Sequence, residues 1–305
     1  MSDQVSLHTL GCGSAKPTLR HSPSSSVLNV RGNLFMVDCG EGAQLAMQRQ
    51  RLGMSRLGHI FLTHLHGDHV FGLPGLVGSM GLGMMGGELT IHTFAEGKKI
   101  LTDIFDFFSR ETPFEINFNV IEPTDAVIFE NKTMTVRTVR LNHRIDCVGY
   151  VFEEKEGLRH INRPECDFHG VPVWQMNRIK AGEDFVKPDG TVIPNEVLTT
   201  PPSKPWSYAH ISDTAYMPDL AEKIKGVDLL FHETTYCDCD AHLAAKRGHS
   251  TAKEAAMGAR DAQAGQLLTG HYSSRYKNDN VFLEEAASIF PNTILNKEGL
   301  SVKIR

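Results

Sequence analysis

No basic stretch leads into an apolar run at the start of the chain, which reads Met1-Ser2-Asp3-Gln4, so neither a secretory signal nor a transit peptide is expected. The expected compartment is the cytoplasm. The six cysteines, at 12, 39, 147, 166, 237 and 239, form no CxxC pair, and a chain of 305 residues does not need disulfides to hold a core. Reduced thiols are expected, with Cys237 and Cys239 as inert fillers. Charge is missing altogether between Asp68 and Glu88, a feature that a hydropathy window could take for a membrane span. The stretch nevertheless holds seven glycines and Pro74, which fits a buried helix and loop and argues against a membrane. Net positive charge is lacking too: the formal charge is −5, the wrong sign for a protein that binds nucleic acid over its whole surface. Any RNA contact must be local. Internal repeats and low-complexity tracts are absent.

What remains is the composition of a folded globular chain, 41% apolar and 22% charged, which excludes a disordered one. Short β-branched or aromatic runs at Val5 to Leu10, Ser26 to Val30, Leu34 to Asp38 and His59 to Thr63 read as strands. Further strands are expected at Thr133 to Leu141, Cys147 to Glu153, Ser207 to Ile211, Val227 to Phe231 and Gln266 to Thr269. Gly42 to Arg51, Ala95 to Arg110 and Ala215 to Lys225 have helical composition. Two β-rich halves with helices between them imply an α/β layered sandwich. From Glu153 to about Pro205 the pattern dissolves into charges, prolines and glycines, and so long an irregular run inside one domain points to a functional projection, a hairpin or arm.

The chemistry concentrates in His64-Leu65-His66-Gly67-Asp68-His69, which follows an apolar strand. In extended chain, residues 64, 66 and 68 share one side, and Gly67 permits a turn that brings His69 inward. Three imidazoles and a carboxylate then converge, a donor set typical of metal sites. More donors follow other strands: His143 after the run ending at Leu141, Asp213 after Ser207 to Ile211, and His271 after Gln266 to Thr269. Each sits at a strand's carboxyl end, where loops gather into a site. Thr251 and Glu254 form a capping box, which sets His249 just ahead of a helix.

The segment from His64 to His69 matches the HxHxDH signature of metallo-β-lactamase-fold hydrolases, and its continuation Val70-Phe71-Gly72-Leu73-Pro74-Gly75-Leu76 resembles ribonuclease Z in particular. Leu10 to Thr18, Asp38-Cys39-Gly40-Glu41-Gly42, Ile211 to Thr214, His232-Glu233, His249-Ser250-Thr251 and His271 to Tyr276 resemble the same family, in its order and over nearly the whole chain. The resemblance implies one metallo-β-lactamase-fold domain over residues 1–305, a four-layer αββα sandwich with a protruding tRNA-binding arm at about 153–205. It implies two zinc ions per subunit, one held by His64, His66 and His143 and the other by His69 and His271. Asp213 would bridge the two and Asp68 would bind the second. Manganese also suits such a set. Asp68 would orient the attacking water and take its proton, and His249, paired with Glu233, would protonate the leaving ribose oxygen. The implied activity is an endoribonuclease that removes the 3′ trailer from precursor tRNA, leaving a 3′-hydroxyl on the tRNA and a 5′-phosphate on the trailer, and the implied assembly is a homodimer.

Asp38 reads equally as a carboxylate orienting a ligand histidine and as a common turn residue; Glu41 is similarly open, and Arg275 is either a phosphate contact or a surface ion pair. The arm departs from a strongly basic pattern: between 155 and 187 six Lys or Arg face five acids, so recognition there rests on Trp174, histidines and a few cations. Two rivals stand beside this reading. One is another phosphodiesterase or hydrolase on the same fold; the other is a non-catalytic RNA-binding protein, which would be expected to have lost ligands.

Overall fold

Short β-branched and aromatic strands, most of them buried along nearly their whole length, build two seven-stranded sheets in a computed structural model that describes residues 4–83, 86–109 and 112–305. The first sheet runs in the order Ser301–Lys303, Val5–Gly11, Ser25–Val30, Asn33–Val37, Leu57–Phe61, Glu88–Thr93 and Glu115–Val120. Its first four strands pair antiparallel and the remainder parallel. The second runs Thr293–Ile294, Gln266–Gly270, Leu229–Glu233, Ser207–Ile211, Val148–Glu154, Met134–Arg140 and Val127–Glu130.

Each sheet turns one face to helices. Leu34, Met36, Ile60, Leu89 and Ile91 pack with Leu73, Leu76 and Val77 of helix Leu73–Leu82 and with Leu101 and Phe105 of helix Ala95–Phe108. Ala209, Ile211, Leu230 and Leu267 pack with Ala252, Ala256 and Ala259 of helix Ala252–Asp261 and with Phe282 of helix Asn280–Ala287. The opposite faces meet in a layer of rings: Phe61 lies edge-on to Tyr150 and Phe152, both at 5.3 Å between centroids, and stacks on His92 at 4.1 Å. Tyr150 is fully buried yet satisfied, because its hydroxyl donates to the Leu62 carbonyl at 2.6 Å, as a buried phenol requires. Helix, sheet, sheet, helix is therefore the layer order. No helix among the described residues is long and apolar enough to cross a membrane.

Three expectations differ from what is found. Helix Ala95–Phe108 ends before Arg110, which lies outside the described residues. The helix expected over 215–225 contracts to Leu220–Lys223; Pro218 disfavours helix in the residue before it, and the Ala215 N–H is engaged by the Asn142 carbonyl at 2.8 Å. The irregular run after Glu153 is also more ordered than its sequence suggests. Residues 130–135 and 153–206 form a second compact unit with its own small core of Cys166, Val171, Ile179, Phe185, Ile193 and Leu198. Two ladders, His160–Ile161 with Thr199–Thr200 and Phe185–Val186 with Val192–Ile193, frame it. Asn195 ties it internally, donating to the carbonyls of Ile179 at 2.6 Å and Glu183 at 2.8 Å. Elements two to six residues long leave no window in which a period of 2 or 3.6 can register.

Candidate metal centre

The strand Leu57–Phe61 ends just before Thr63 and His64, and the chain then enters the short helix Gly67–Val70. Asp68 reaches the site from that helical turn and not from extended chain as expected, whereas His69 comes inward through a turn at Gly67 as expected. His143 follows strand Met134–Arg140, Asp213 follows Ser207–Ile211, and His271 follows Gln266–Gly270 directly. Two donor groups result. His64 Nε2 lies 2.9 Å from His66 Nδ1, which lies 3.3 Å from His143 Nε2; His69 Nε2 and His271 Nε2 are 3.3 Å apart, with Asp68 Oδ2 at 3.6 and 3.5 Å from them. Asp213 divides its carboxylate between the groups. Its Oδ2 faces His64 at 3.6 Å and His143 at 3.9 Å, while Oδ1 faces His69 at 3.6 Å and His271 at 3.3 Å.

The outward ring nitrogens establish what the inward ones can do. His69 Nδ1 donates to Asp38 Oδ2 at 2.7 Å and His143 Nδ1 to the Gly248 carbonyl at 2.7 Å. Thr63 Oγ1 donates to Asp38 and so accepts from His64 Nδ1 at 3.0 Å. Thr235 Oγ1 donates to Glu233 and so accepts from His271 Nδ1 at 2.8 Å. With their outward positions protonated, the inward nitrogens present lone pairs to one another and to carboxylates, an arrangement that suits a cation between them. Without one, a proton must serve: His69 is pushed up to about 10, the charges of Asp38, Asp213 and Asp68 overcoming the cost of its burial. Burial, reinforced by neighbouring imidazoles, lowers His64 and His66 and keeps them in the neutral form that metal binding needs. The residues present fit bound divalent metal.

Asp38 is thereby resolved. It is fully buried, with its backbone in the left-handed region at φ 56°, and its carboxylate accepts from the Thr63 N–H and hydroxyl, each at 2.8 Å, as well as from His69. His271 adopts φ 61°; such backbone costs on the order of 1 kcal/mol per residue and here aims a ring that a relaxed strand end would not. Asp68 Oδ2 accepts from the Ala15 N–H at 2.6 Å, and although burial opposes ionisation, His271 and His69 hold its carboxyl well below the usual carboxylate range. His249 Nδ1 is 3.0 Å from Glu233 Oε1. Burial lowers the His249 pKa, but the charge and hydrogen bond of Glu233 raise it further, to about 9.

Asp68, Asp213, His66, His249 and His271 open onto a cavity of about 650 Å³ that Lys16, Glu41, Phe71, Arg144 and Arg247 also line. Arg275 stands at 4.0 Å from Asp240 instead. Sequence reasoning missed Thr63, Thr235 and the backbone groups of Ala15 and Gly248. Thr235 lies two residues beyond the His232-Glu233 pair with nothing in its own residue type to mark it, and backbone donors carry no residue-type signal. All six thiols are unpaired.

The profile of the family described as anti-Pycsar protein Apyc1 matches residues 5–156, ending before Asp213, His249 and His271. Ribonuclease Z of Phocaeicola vulgatus is 45% identical over 303 residues, spanning 99% of this chain and 98% of its own. Ribonuclease Z of Parabacteroides distasonis is 47% identical over 299 residues, 98% of each. Among solved structures, the short form of human tRNase Z matches with a TM-score of 0.71 at 22% identity, over 98% of this chain and 99% of that one. The metallo-β-lactamase fold protein YhfI from Bacillus subtilis matches with a TM-score of 0.69 at 17% identity, over 99% and 100%.

Proposed function

Because this chain belongs to the ribonuclease Z family and has the metallo-β-lactamase fold, it is a tRNA 3′-processing endoribonuclease, and we propose that it removes the 3′ trailer from precursor tRNA at a centre of two zinc ions. The observation that carries this reading is the division of Asp213 between two imidazole groups with His249 and Glu233 beside them. His64, His66 and His143 would hold one ion, His69, His271 and Asp68 the other, and Asp213 would bridge. Five nitrogen and two carboxylate donors suit zinc, and manganese in its place. Two such ions, when bound, activate a water and offset the charge that builds on the phosphate oxygens.

The chain's own groups supply the remaining steps. Asp68 stays ionised, anchored by Ala15, and orients the attacking water while accepting its proton. Attack at phosphorus breaks its bond to the ribose 3′ oxygen, to which His249 gives a proton; Glu233 favours the protonated imidazole that this requires. Thr235 holds Glu233 and His271 in register. Lys16, Arg144 and Arg247, which line the cavity, give a chain of net charge −5 a local surface for phosphate.

We read the unit containing residues 153–206 as the arm that grips the tRNA body, a reading supported by its exposed Phe168, Val173 and Trp174. A homodimer is supported by the family likeness and by Leu82, Phe107 and Phe108, which expose large apolar side chains; the same likeness supports the cytoplasm as compartment. Incubation with a labelled 3′-extended precursor tRNA followed by end-group analysis tests the activity. The expected products are a tRNA ending in a 3′-hydroxyl and a trailer beginning with a 5′-phosphate, and a cyclic phosphate or an uncut precursor would overturn the proposal.

A further inference from the structure

Outside this centre, Cys12, His21 and Glu298 bring a sulfur, a ring nitrogen and a carboxylate oxygen to one point. Cys12 Sγ lies 3.4 Å from His21 Nδ1 and 3.5 Å from Glu298 Oε1, and His21 Nδ1 lies 3.2 Å from that same oxygen. A tetrahedral zinc, bound at about 2.3 Å to sulfur and about 2.0–2.1 Å to nitrogen and oxygen, has donor-to-donor edges of about 3.3–3.6 Å. The three observed edges fall on or within 0.1 Å of that range. The surroundings also match what metal-ligating histidines have. His21 Nε2 is engaged by Asp279 Oδ2 at 2.9 Å, which leaves Nδ1 to face the other two donors, and the Ser22 N–H holds Glu298 Oε1 at 3.0 Å. A carboxylate behind a ligand imidazole orients the ring and makes it a better base.

We propose that Cys12, His21 and Glu298 form a third transition-metal site, separate from the catalytic pair. Mixed sulfur, nitrogen and oxygen donors select zinc or a similar borderline cation over magnesium or calcium, and three protein donors leave the fourth position to water. The site joins the segment after strand Val5–Gly11 to Glu298, near the chain's carboxyl end. That segment also contains Ala15, whose N–H holds Asp68, so a metal here staples the loop that steadies the proposed general base. In the ion-free protein the same three side chains are held by hydrogen bonds, with burial and the neighbouring Glu298 keeping the Cys12 thiol protonated; a bound cation displaces that proton.

Cobalt titration of metal-free protein separates this site from the catalytic centre, because none of the seven donors proposed there is sulfur. Wild-type protein is expected to develop the near-ultraviolet thiolate-to-cobalt charge-transfer band and to retain one more equivalent of metal per chain than Cys12→Ser. The band should vanish in Cys12→Ser and persist in His271→Ala. Asp279→Asn, which leaves all three donors in place and guards against misfolding of the cysteine variant, should weaken cobalt binding at this site roughly 10- to 100-fold. Absence of the band in wild type, its survival in Cys12→Ser, or unchanged affinity in Asp279→Asn would each overturn the site.

Discussion

The two oxygens of Asp213 face different histidine groups, and what keeps them so is a set of residues that bear no metal. Asp38 and Thr63 orient His69 and His64, while Thr235 orients His271 and Glu233 together. A bare polar group at this depth costs about 1–3 kcal/mol, so removing any of these residues would leave a buried ring nitrogen or carboxylate without its partner. His249 differs from the rest, because the proposal gives it a proton to deliver and no metal to hold. His249→Ala should therefore cost about 10²–10⁴-fold on precursor tRNA, the range typical of a general acid. Bis(p-nitrophenyl) phosphate, whose phenolate leaves without help from an acid, should lose much less. Equal losses on the two substrates would remove His249 from that role.

Among the elements, helix Ala252–Asp261 shows how local sequence places chemistry. Thr251 accepts from the Glu254 N–H at 3.2 Å and the Glu254 carboxylate accepts from the Thr251 N–H at 2.9 Å, so both halves of the capping box form. His249 is delivered two residues ahead of it. The second unit poses the opposite case, a 54-residue stretch from Glu153 to Trp206 made of elements too short to announce themselves. All seven proposed metal donors lie in the first unit, so replacing residues 157–201 with a short Gly-Ser linker should leave metal content unchanged. kcat/KM for precursor tRNA should fall steeply, since remote binding energy positions the scissile phosphate, while hydrolysis of bis(p-nitrophenyl) phosphate largely survives. The near balance of charge between 155 and 187 also predicts a weaker salt dependence of the arm's contribution than a lysine-rich arm would have. Normal processing by the deletion protein would refute the arm's assignment.

For the whole molecule, the donors span residues 64 to 271 and belong to loops after strands of both sheets. Ions that bind only when those loops are assembled stabilise the native state by mass action, about 4 kcal/mol for a site filled at 1,000 times its Kd. Chelation of two such ions should then lower Tm by roughly 12 °C, given an unfolding entropy of about 2.1 cal/mol/K per residue over 305 residues. Calorimetry with and without chelator, followed by readdition of zinc, measures this. An unchanged Tm would contradict a centre that joins the two halves.

How far the residues could be read in advance follows from the range of the forces involved. The strands announced themselves through short β-branched and aromatic runs, the capping box through a four-residue pattern, and His64 to His69 through donors crowded into six positions; each of these is local chemistry that the order of residues determines by itself. The contraction of the 215–225 helix was legible at Pro218 but not at Ala215, whose N–H is taken by a carbonyl 73 positions away. Asp38 remained undecided for the same reason: a carboxylate at a turn reads alike whether or not a histidine 31 residues later donates to it. Thr235 and Ala15 became parts of the centre, and Cys12 met His21 and Glu298, only when the sheets closed. Hydrogen bonds and metal geometry act over about 3 Å, so sequence spacing does not report such meetings and the tertiary structure alone decides them.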